Sequence, residues 1–299
     1  MRGARAAAAG MLAAALVVAG CAAAPVGQPV DPSAVHERPA VAGFHGELHL
    51  PPGGGATARP AVLVVGGAEG GIMIDPLAAA LARKGFPALA VAYFGLPDLP
   101  PTLSRIPLEY FAGALRTLAT QPGVDPHRIV VWGVSRGSEV AQLLAVDFPD
   151  LVAGVVADSP SSVVHASSTS PDVAAWTLGG RDVAYTSVAH QDDPQAPGAT
   201  VDGSAIDDAA IVGPILTICG DADRLWPSCA FADAIAARSP RVTRLVFPGA
   251  GHSFVGLYLQ GAQAPGVAAR SAAAGGTPDA DTDAAIDAFD RAVGFIASV

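Results

Sequence analysis

The segment Gly133-Val134-Ser135-Arg136-Gly137 has the G-x-S-x-G spacing of a reactive serine. The apolar run Val130-Val131-Trp132 before it predicts a strand, and the residues after it predict a helix. A sharp turn between glycines at such a junction lifts the serine hydroxyl clear of the sheet. It also directs the backbone N–H of Arg136 towards a reacting oxygen. The alternative is a glycine–serine turn that only joins strand to helix. The flanking elements favour a nucleophilic Ser135.

A nucleophilic serine needs a base, and three histidines follow Ser135 in the chain. His165 and His190 fall in or beside an irregular stretch, where we expect loop histidines that face solvent. His252 lies in a glycine turn directly after the strand predicted at 242–247. A loop in that place can carry an imidazole over the edge of a sheet, so we predict His252 as the base.

An acid that orients the histidine should follow the preceding strand. The apolar run Pro214–Cys219 predicts that strand, and Asp221 and Asp223 come directly after Gly220. Either carboxylate could pair with the histidine. The alternative is an Asp pair that only caps the next helix.

A backbone donor for a developing oxyanion is expected in the glycine-rich loop 66–71, after the strand predicted at 60–67. Ala68 or Glu69 should supply this N–H, beside that of Arg136. A phosphate-binding loop is the rival interpretation, but the G-x-x-x-x-G-K-[ST] and G-x-G-x-x-G patterns are absent from the sequence. No pair of His or Cys residues has metal-ligand spacing, so we expect neither a metal nor a cofactor.

The elements around these residues alternate between strand-like and helix-like patterns. This predicts an α/β fold with a mostly parallel central sheet and helices on both faces. The predicted strands are 60–67, 86–92, 128–133, 152–157, 214–219 and 242–247, and the predicted helices are 74–84, 107–121, 136–146, 229–238 and 281–296. A stretch at about 163–213, rich in Ser, Asp, Gly and Pro, predicts an irregular cap or loop insertion.

The N-terminus is typical of an export signal. A basic start and a small-apolar run make residues 1–20 a predicted signal peptide. The segment Val18-Ala19-Gly20-Cys21 resembles a bacterial lipobox, which predicts a lipid on Cys21. An uncleaved membrane anchor is the alternative. Residues 21–40 then form a lipidated tether, and 41–299 form the domain. We expect an exported chain, lipid-anchored to the outer face of the bacterial cell membrane.

The two remaining cysteines, Cys219 and Cys229, flank the loop that carries Asp221 and Asp223. An oxidising compartment permits a disulfide between them, and two buried thiols are the alternative. A Cα separation beyond about 7 Å would exclude the bond.

Composition excludes two classes of protein. Hydrophobic residues make up 51% of the 299 residues and charged residues 15%, so the chain is not intrinsically disordered. A formal net charge of −10 argues against nucleic-acid binding, which needs a basic surface.

Several of these segments together resemble the catalytic domain of the bile acid-CoA:amino acid N-acyltransferase/acyl-CoA thioesterase family. The likeness covers about 45–299 and an α/β-hydrolase fold is implied. The segments that carry it are PAVLVVGGAEGG, AVAYFGLPDLP, IPLEYFAGAL, VDPHRIVVWGVSRGSEVAQLLA, DSPSSVV, GPILTICGDADRLWPSCAFADAI and VFPGAGHSF. The resemblance implies Ser135 as nucleophile, Asp223 as acid and His252 as base. In α/β-hydrolases the acid usually lies three residues after the glycine, which favours Asp223 over Asp221.

The resemblance also bears on the reaction, because hydrolases of this family use Ser where its N-acyltransferases use Cys. We therefore predict a monomeric serine hydrolase that cleaves small-molecule acyl esters or thioesters through an acyl-enzyme. We expect the irregular stretch around Trp176 to form part of the acyl pocket. Two alternatives stay open. One is an acyltransferase on the same scaffold, and the other is a non-catalytic lipoprotein that binds acyl chains or cell-envelope material.

Overall fold

The computed structural model describes residues 43–51, 57–186, 203–261 and 266–299. The predicted signal peptide, Cys21 with its tether, and His190 lie outside these residues, as does part of the stretch 163–213. No helix within the described ranges is long and apolar enough to cross a membrane.

The described elements alternate as the sequence predicts, with a strand before most helices. The strands are β1 Gly46–His49, β2 Arg59–Val65, β3 Ala88–Val91, β4 Ile106–Pro107, β5 Val124–Val134, β6 Gly154–Asp158, β7 Ala166–Ser167, β8 Ser170–Ala174, β9 Trp176–Leu178, β10 Arg181–Asp182, β11 Ile215–Gly220 and β12 Val242–Phe247. The helices are α1 Asp75–Arg83, α2 Leu108–Ala119, α3 Arg136–Asp147, α4 Ser228–Arg238, α5 Phe254–Gln260, α6 Val267–Ala274 and α7 Pro278–Ser298.

The centre of the fold is a seven-stranded sheet in the order β1-β3-β2-β5-β6-β11-β12. Every pair in it is parallel except β1 with β3. In β2, Val62 and Val64 pack in the apolar cluster that contains residues of α1, α5 and α7. Leu63 and Val65 pack in the opposite cluster, which contains residues of α2 and α3. After its exposed first residue, Arg59, the strand is apolar because helices cover both faces of the sheet, and this confirms the predicted fold class.

The structure differs from the prediction in the stretch 163–213. Its described part is not irregular throughout, since β10, β9 and β4 form one small sheet and β7 and β8 another. Trp176 in β9 has no solvent-exposed surface and contacts the rings of Tyr93 and Phe111. The Trp176 side chain therefore packs in the core, and the expectation that the stretch around it forms part of an acyl pocket stays a prediction. Strand β1 and helices α5 and α6 were also not predicted.

The parallel strands β2, β5, β6, β11 and β12 all end at the same edge of the sheet. Val134 at the end of β5 pairs with Asp158 at the end of β6, and Gly220 at the end of β11 pairs with Phe247 at the end of β12. The loops that follow these strands carry the predicted site residues. Ligands bind at this carboxyl edge in open α/β sheets.

Candidate active site

Ser135 occupies a strained turn between β5 and α3. Its φ of 54° and ψ of −120° lie in a region that non-glycine residues rarely adopt, and Arg136 begins the helix directly after it. Its backbone N–H donates to the Asp158 carbonyl oxygen at 2.8 Å. The turn requires glycine at position 137, because a Cβ there would lie 2.4 Å from the Val65 carbonyl oxygen. The local geometry is that of the nucleophile elbow that the sequence predicts.

His252 and Asp223 meet at the same edge of the sheet. The Nδ1–H of His252 donates to Oδ2 of Asp223 at 2.7 Å, and both side chains are almost fully buried. Oδ1 of Asp223 accepts from the backbone N–H groups of Leu225 and Trp226 at 2.9 and 3.2 Å. The carboxylate is thus fixed by three donors. With Nδ1 protonated, Nε2 of His252 is the nitrogen able to accept a proton.

Asp221, the rival acid, has a different partner. Its Oδ1 accepts from the backbone N–H of Gly249 at 2.6 Å, in the loop after β12. Asp221 therefore links the loop after β11 to the loop after β12 through a backbone N–H, whereas Asp223 contacts the imidazole of His252.

A disulfide joins Cys219 at the end of β11 to Cys229 in the first turn of α4, with a Cα separation of 5.2 Å. Of the two alternatives left open by the sequence, the structure contains the bridge. It closes the loop that carries Asp223, so β11 and α4 are tied together on both sides of the carboxylate.

Three backbone N–H groups are available to an oxyanion at this edge. Ala68 and Glu69 form an exposed turn after β2, and Arg136 is the first residue of α3. Among the described residues, none of these three N–H groups donates a hydrogen bond to another protein group. The N-terminal end of α3 adds the positive end of the helix dipole.

The glycine-rich loop that follows β2 is hydrogen-bonded to the buried phenol of Tyr93. The Tyr93 hydroxyl lies 2.8 Å from the Gly66 carbonyl oxygen and 2.6 Å from that of Gly67. Burial, and next the charge of Glu69, raises the pKa of Tyr93 well above its ordinary value, so the phenol stays protonated. A Cβ on Gly67 would meet the Glu69 carboxylate at 2.9 Å and the Ser135 Cβ at 3.1 Å. The Glu69 carboxylate and the Ser135 side chain therefore both border the space above Gly67.

A buried ionic network that the sequence analysis missed centres on Glu139 in α3. Its carboxylate accepts from Arg136 Nε at 2.7 Å, from Trp176 Nε1 at 2.7 Å and from His165 Nδ1 at 3.0 Å. Burial alone would raise the pKa of Glu139, but Arg136 and the hydrogen bonds from His165 and Trp176 outweigh it and the pKa is lowered. The side chain is therefore an ionised carboxylate.

His165 belongs to this network and has no exposed surface, so the expectation of a solvent-facing loop histidine was wrong for it. Its ring stacks on Trp226 with centroids 5.2 Å apart, and the Trp226 ring meets His252 edge-on at 5.5 Å. The buried carboxylate of Glu139 requires hydrogen-bond donors, and His165 is buried because it supplies one of them. In the sequence, the three-residue spacing of Arg136 and Glu139 on a helix was the available signal.

Asp158, at the end of β6, is a second buried acid near the histidine. Its Oδ2 has no hydrogen-bond partner within 3.5 Å among the described residues. Burial raises the pKa of Asp158 to about 7, although His252, Trp132 and Ser159 partly oppose this. In the described ranges, no group of three His, Cys, Asp or Glu side chains could hold a metal ion.

Comparison with known proteins then assigns the family. The family model "BAAT / Acyl-CoA thioester hydrolase C terminal" matches residues 106–298. The chain belongs to this family. Acyl-coenzyme A amino acid N-acyltransferase 2 of Rattus norvegicus is 36% identical over 118 residues, 40% of this chain and 28% of the relative. Acyl-coenzyme A thioesterase 1 of Homo sapiens is 35% identical over 126 residues, 42% of this chain and 29% of the relative.

The matched region thus covers less than a third of the length of each of those two relatives. Among solved structures, the carboxylesterase EstE1, cloned from a metagenomic library, superposes with a TM-score of 0.55 at 20% identity. The match covers 88% of this chain and 87% of EstE1. At that identity the likeness shows the shared α/β-hydrolase fold.

Proposed function

We propose that this family member is a serine hydrolase that cleaves acyl esters or thioesters, with Ser135 as nucleophile, His252 as base and Asp223 as the orienting acid. The observation that carries the proposal is the 2.7 Å hydrogen bond between His252 and Asp223. It joins two loops at the sheet edge where Ser135 stands in its strained turn. A nucleophile, a base and an acid that holds the base are the parts this chemistry needs.

The proposed reaction has two steps that mirror each other. The Ser135 Oγ attacks the acyl carbon while Nε2 of His252 takes the hydroxyl proton. The bond from the acyl carbon to the leaving oxygen or sulfur breaks, and the leaving group takes that proton from His252. Water then attacks the acyl-enzyme in the same way and releases the acid. Asp223 holds the tautomer and stabilises the imidazolium that forms in each step.

The negative oxygen formed in each step would be bound by backbone N–H groups. We assign the first to Arg136 and the second to Ala68 or Glu69, because these groups donate no hydrogen bond within the described part of the chain. Loss of one such donor typically costs about 10² to 10³ in rate.

Charge near the serine favours neutral substrates. The Glu69 carboxylate and the Ser135 side chain both border the space above Gly67, and the whole chain has a net charge of −10. Both would repel a polyanionic leaving group such as coenzyme A. We therefore propose simple esters or thioesters as preferred substrates, although the two relatives are named for coenzyme A compounds. Comparing kcat/KM for a fatty acyl-CoA and a matched simple ester tests this. A preference for acyl-CoA of more than about tenfold would overturn it.

We also propose that the chain is exported and anchored by a lipid on Cys21. The lipobox-like segment supports this, and a disulfide between Cys219 and Cys229 is typical of an oxidising compartment. The full chain should sediment with membranes, and a Cys21→Ser chain should not. Equal membrane association of both would contradict the lipid anchor.

A fluorophosphonate label and an activated ester test the catalytic proposal. Labelling should fall on Ser135, and Ser135→Ala should lower kcat by about 10⁶ without unfolding the protein. Asp223→Asn should lower kcat by about 10⁴, because the amide favours the wrong histidine tautomer. Asp221→Asn is the matched control, since its amide oxygen can still accept from Gly249. The acid assignment fails if Asp221→Asn is the damaging change.

The fluorophosphonate and ester assay also tests the two alternative functions, an acyltransferase and a non-catalytic binding protein. With a primary amine added, an amide product in excess of free acid would assign an acyltransferase instead of a hydrolase. A folded protein that neither binds the fluorophosphonate nor turns over any ester would assign a non-catalytic binding protein.

A further inference from the structure

Ser159, directly after β6, contacts the loops of both the proposed base and the proposed acid. It is fully buried, and its φ of 47° lies in the left-handed region. Its backbone N–H donates to the Ile218 carbonyl oxygen in β11 at 2.7 Å. A non-glycine residue in this region is strained and persists only where its surroundings fix it.

The hydroxyl of Ser159 holds the loop that carries the base. Its Oγ accepts from the backbone N–H of Ser253 at 2.7 Å, and Ser253 follows His252 directly in the chain. Ser253 is itself in the left-handed region, at a φ of 53°. The orientation of the imidazole therefore depends on a turn whose own N–H is fixed by the Ser159 hydroxyl.

The carbonyl group of Ser159 holds the loop that carries the acid. It accepts from Trp226 Nε1 at 3.1 Å, and the backbone N–H of Trp226 donates to Asp223 Oδ1 at 3.2 Å. The preceding residue, Asp158, accepts from the Ser135 N–H through its own carbonyl oxygen at 2.8 Å. Two consecutive residues thus contact the loops of nucleophile, acid and base.

We infer that the Ser159 hydroxyl is a positioning group that sets the orientation of His252 towards Ser135. The inference rests on the proposed function, because it concerns how the proposed base is aimed. Ser159 contacts no reacting atom. It acts through the Ser253 N–H, and a misplacement of about 1 Å at a catalytic group can cost about 10² in rate.

The test is Ser159→Ala, which keeps the carbonyl bond to Trp226. It removes the acceptor of the Ser253 N–H and a longer hydrogen bond, 3.4 Å, from the Ser159 hydroxyl to Asp158 Oδ1. We expect kcat for an activated ester to fall about 10- to 100-fold per active site, with KM changed less than about twofold. We also expect the acid limb of the pH profile of kcat/KM to move to lower pH, because Asp223 stabilises the imidazolium less when the His252 ring is turned away from it. Fluorophosphonate titration of the wild type counts its active sites. The folded fraction of each variant is measured by circular dichroism.

Ser161→Ala is the matched control. Ser161 is a buried serine two residues along the chain, and its hydroxyl donates to the Val163 carbonyl oxygen at 2.7 Å. It has no hydrogen bond to the loops of Asp223 or His252 in the described structure. This variant should lose stability to a similar extent yet keep kcat and the pH profile.

Two results overturn the inference. One is Ser159→Ala with kcat and a pH profile equal to wild type once corrected for the folded fraction. The other is the same change in both variants, which would assign Ser159 a general packing role. Failure of the proposed function is distinguishable, because it would appear as wild-type protein that is not labelled at Ser135.

Discussion

Replacing the buried acid Asp158 by its uncharged isostere should stabilise the protein, by an amount that grows as the pH rises from about 4 to about 7. Asp158 has no exposed surface, and its Oδ2 has no hydrogen-bond partner within 3.5 Å among the described residues. Burial raises the pKa of its carboxyl to about 7 in the folded chain. The unfolded chain has the ordinary Asp value of about 3.9. Asp158→Asn keeps the shape and removes the ionisation.

The size of the effect follows from proton linkage. Below about pH 4 the carboxyl is protonated in both states, so its ionisation adds no pH-dependent difference. Between about pH 4 and 7 the unfolded chain ionises while the folded chain stays protonated, which lowers the free energy of unfolding as pH rises. Above about pH 7 both are ionised and the folded state retains a charge in a poorly solvated site. The loss approaches about 4 kcal/mol, at about 1.4 kcal/mol for each pH unit crossed.

Urea unfolding at pH 5 and pH 8 measures this loss. Asp158→Asn should be more stable than wild type at pH 8, and the difference between the variant and wild type should grow by about 3 kcal/mol from pH 5 to pH 8. Asp150→Asn, a change at an exposed carboxyl, is the control and should shift stability by less than about 0.5 kcal/mol at both pH values. A difference between Asp158→Asn and wild type that is equal at pH 5 and pH 8 would refute the reasoning.

Two further predictions concern stability. Glu139→Gln should lower the free energy of unfolding at pH 7 by about 3 to 5 kcal/mol, because it leaves the buried Arg136 charge uncompensated. Because the pKa of Glu139 is lowered in the folded chain, its ionic contribution to stability is present above the unfolded pKa and is lost as pH falls through the folded pKa. The destabilisation caused by Glu139→Gln should therefore shrink in acid. A destabilisation no larger than that of the exposed control Glu109→Gln would contradict this prediction. Reduction of the Cys219–Cys229 disulfide should cost about 3 kcal/mol of stability for a loop of this length, measured by urea unfolding with and without reductant. Unchanged stability after full reduction would argue against the bridge.

The sheet was predictable because most of its parallel strands are buried on both faces, the edge strand β12 being the exception. Runs such as 60–67 and 214–219 have no polar face, and that pattern is diagnostic when helices separate the runs. The small strands of 166–182 were not predictable. They are two to five residues long, and their pairing partners are set by tertiary contacts such as those of Trp176 with α2.

The site residues that could be predicted from the sequence are those that come shortly after a predicted strand. Ser135, Asp223 and His252 each follow a predicted strand, and parallel pairing places the ends of those strands at one edge. The burial of His165 and Glu139 has no such marker. Each of the two side chains can be buried only because the other supplies a hydrogen bond. A sequence shows the two residues but not that they meet.

Backbone strain is concentrated at the proposed site. Ser135, Ser159 and Ser253 have φ values of 54°, 47° and 53°, and each such conformation costs about 1 to 3 kcal/mol. Glycine would relieve this strain at any of the three positions. It would also remove the Ser135 hydroxyl, the proposed nucleophile, and the Ser159 hydroxyl that accepts from the Ser253 N–H. Serine at the first two positions is therefore explained by its hydroxyl, since the backbone conformation argues against it. Ser253 differs, because its buried Oγ has no partner among the described residues and its strain is offset through the backbone bond to Ser159. The proposed base, His252, is thus held in place before substrate binds, which is the condition under which a histidine accepts a proton without first reorganising.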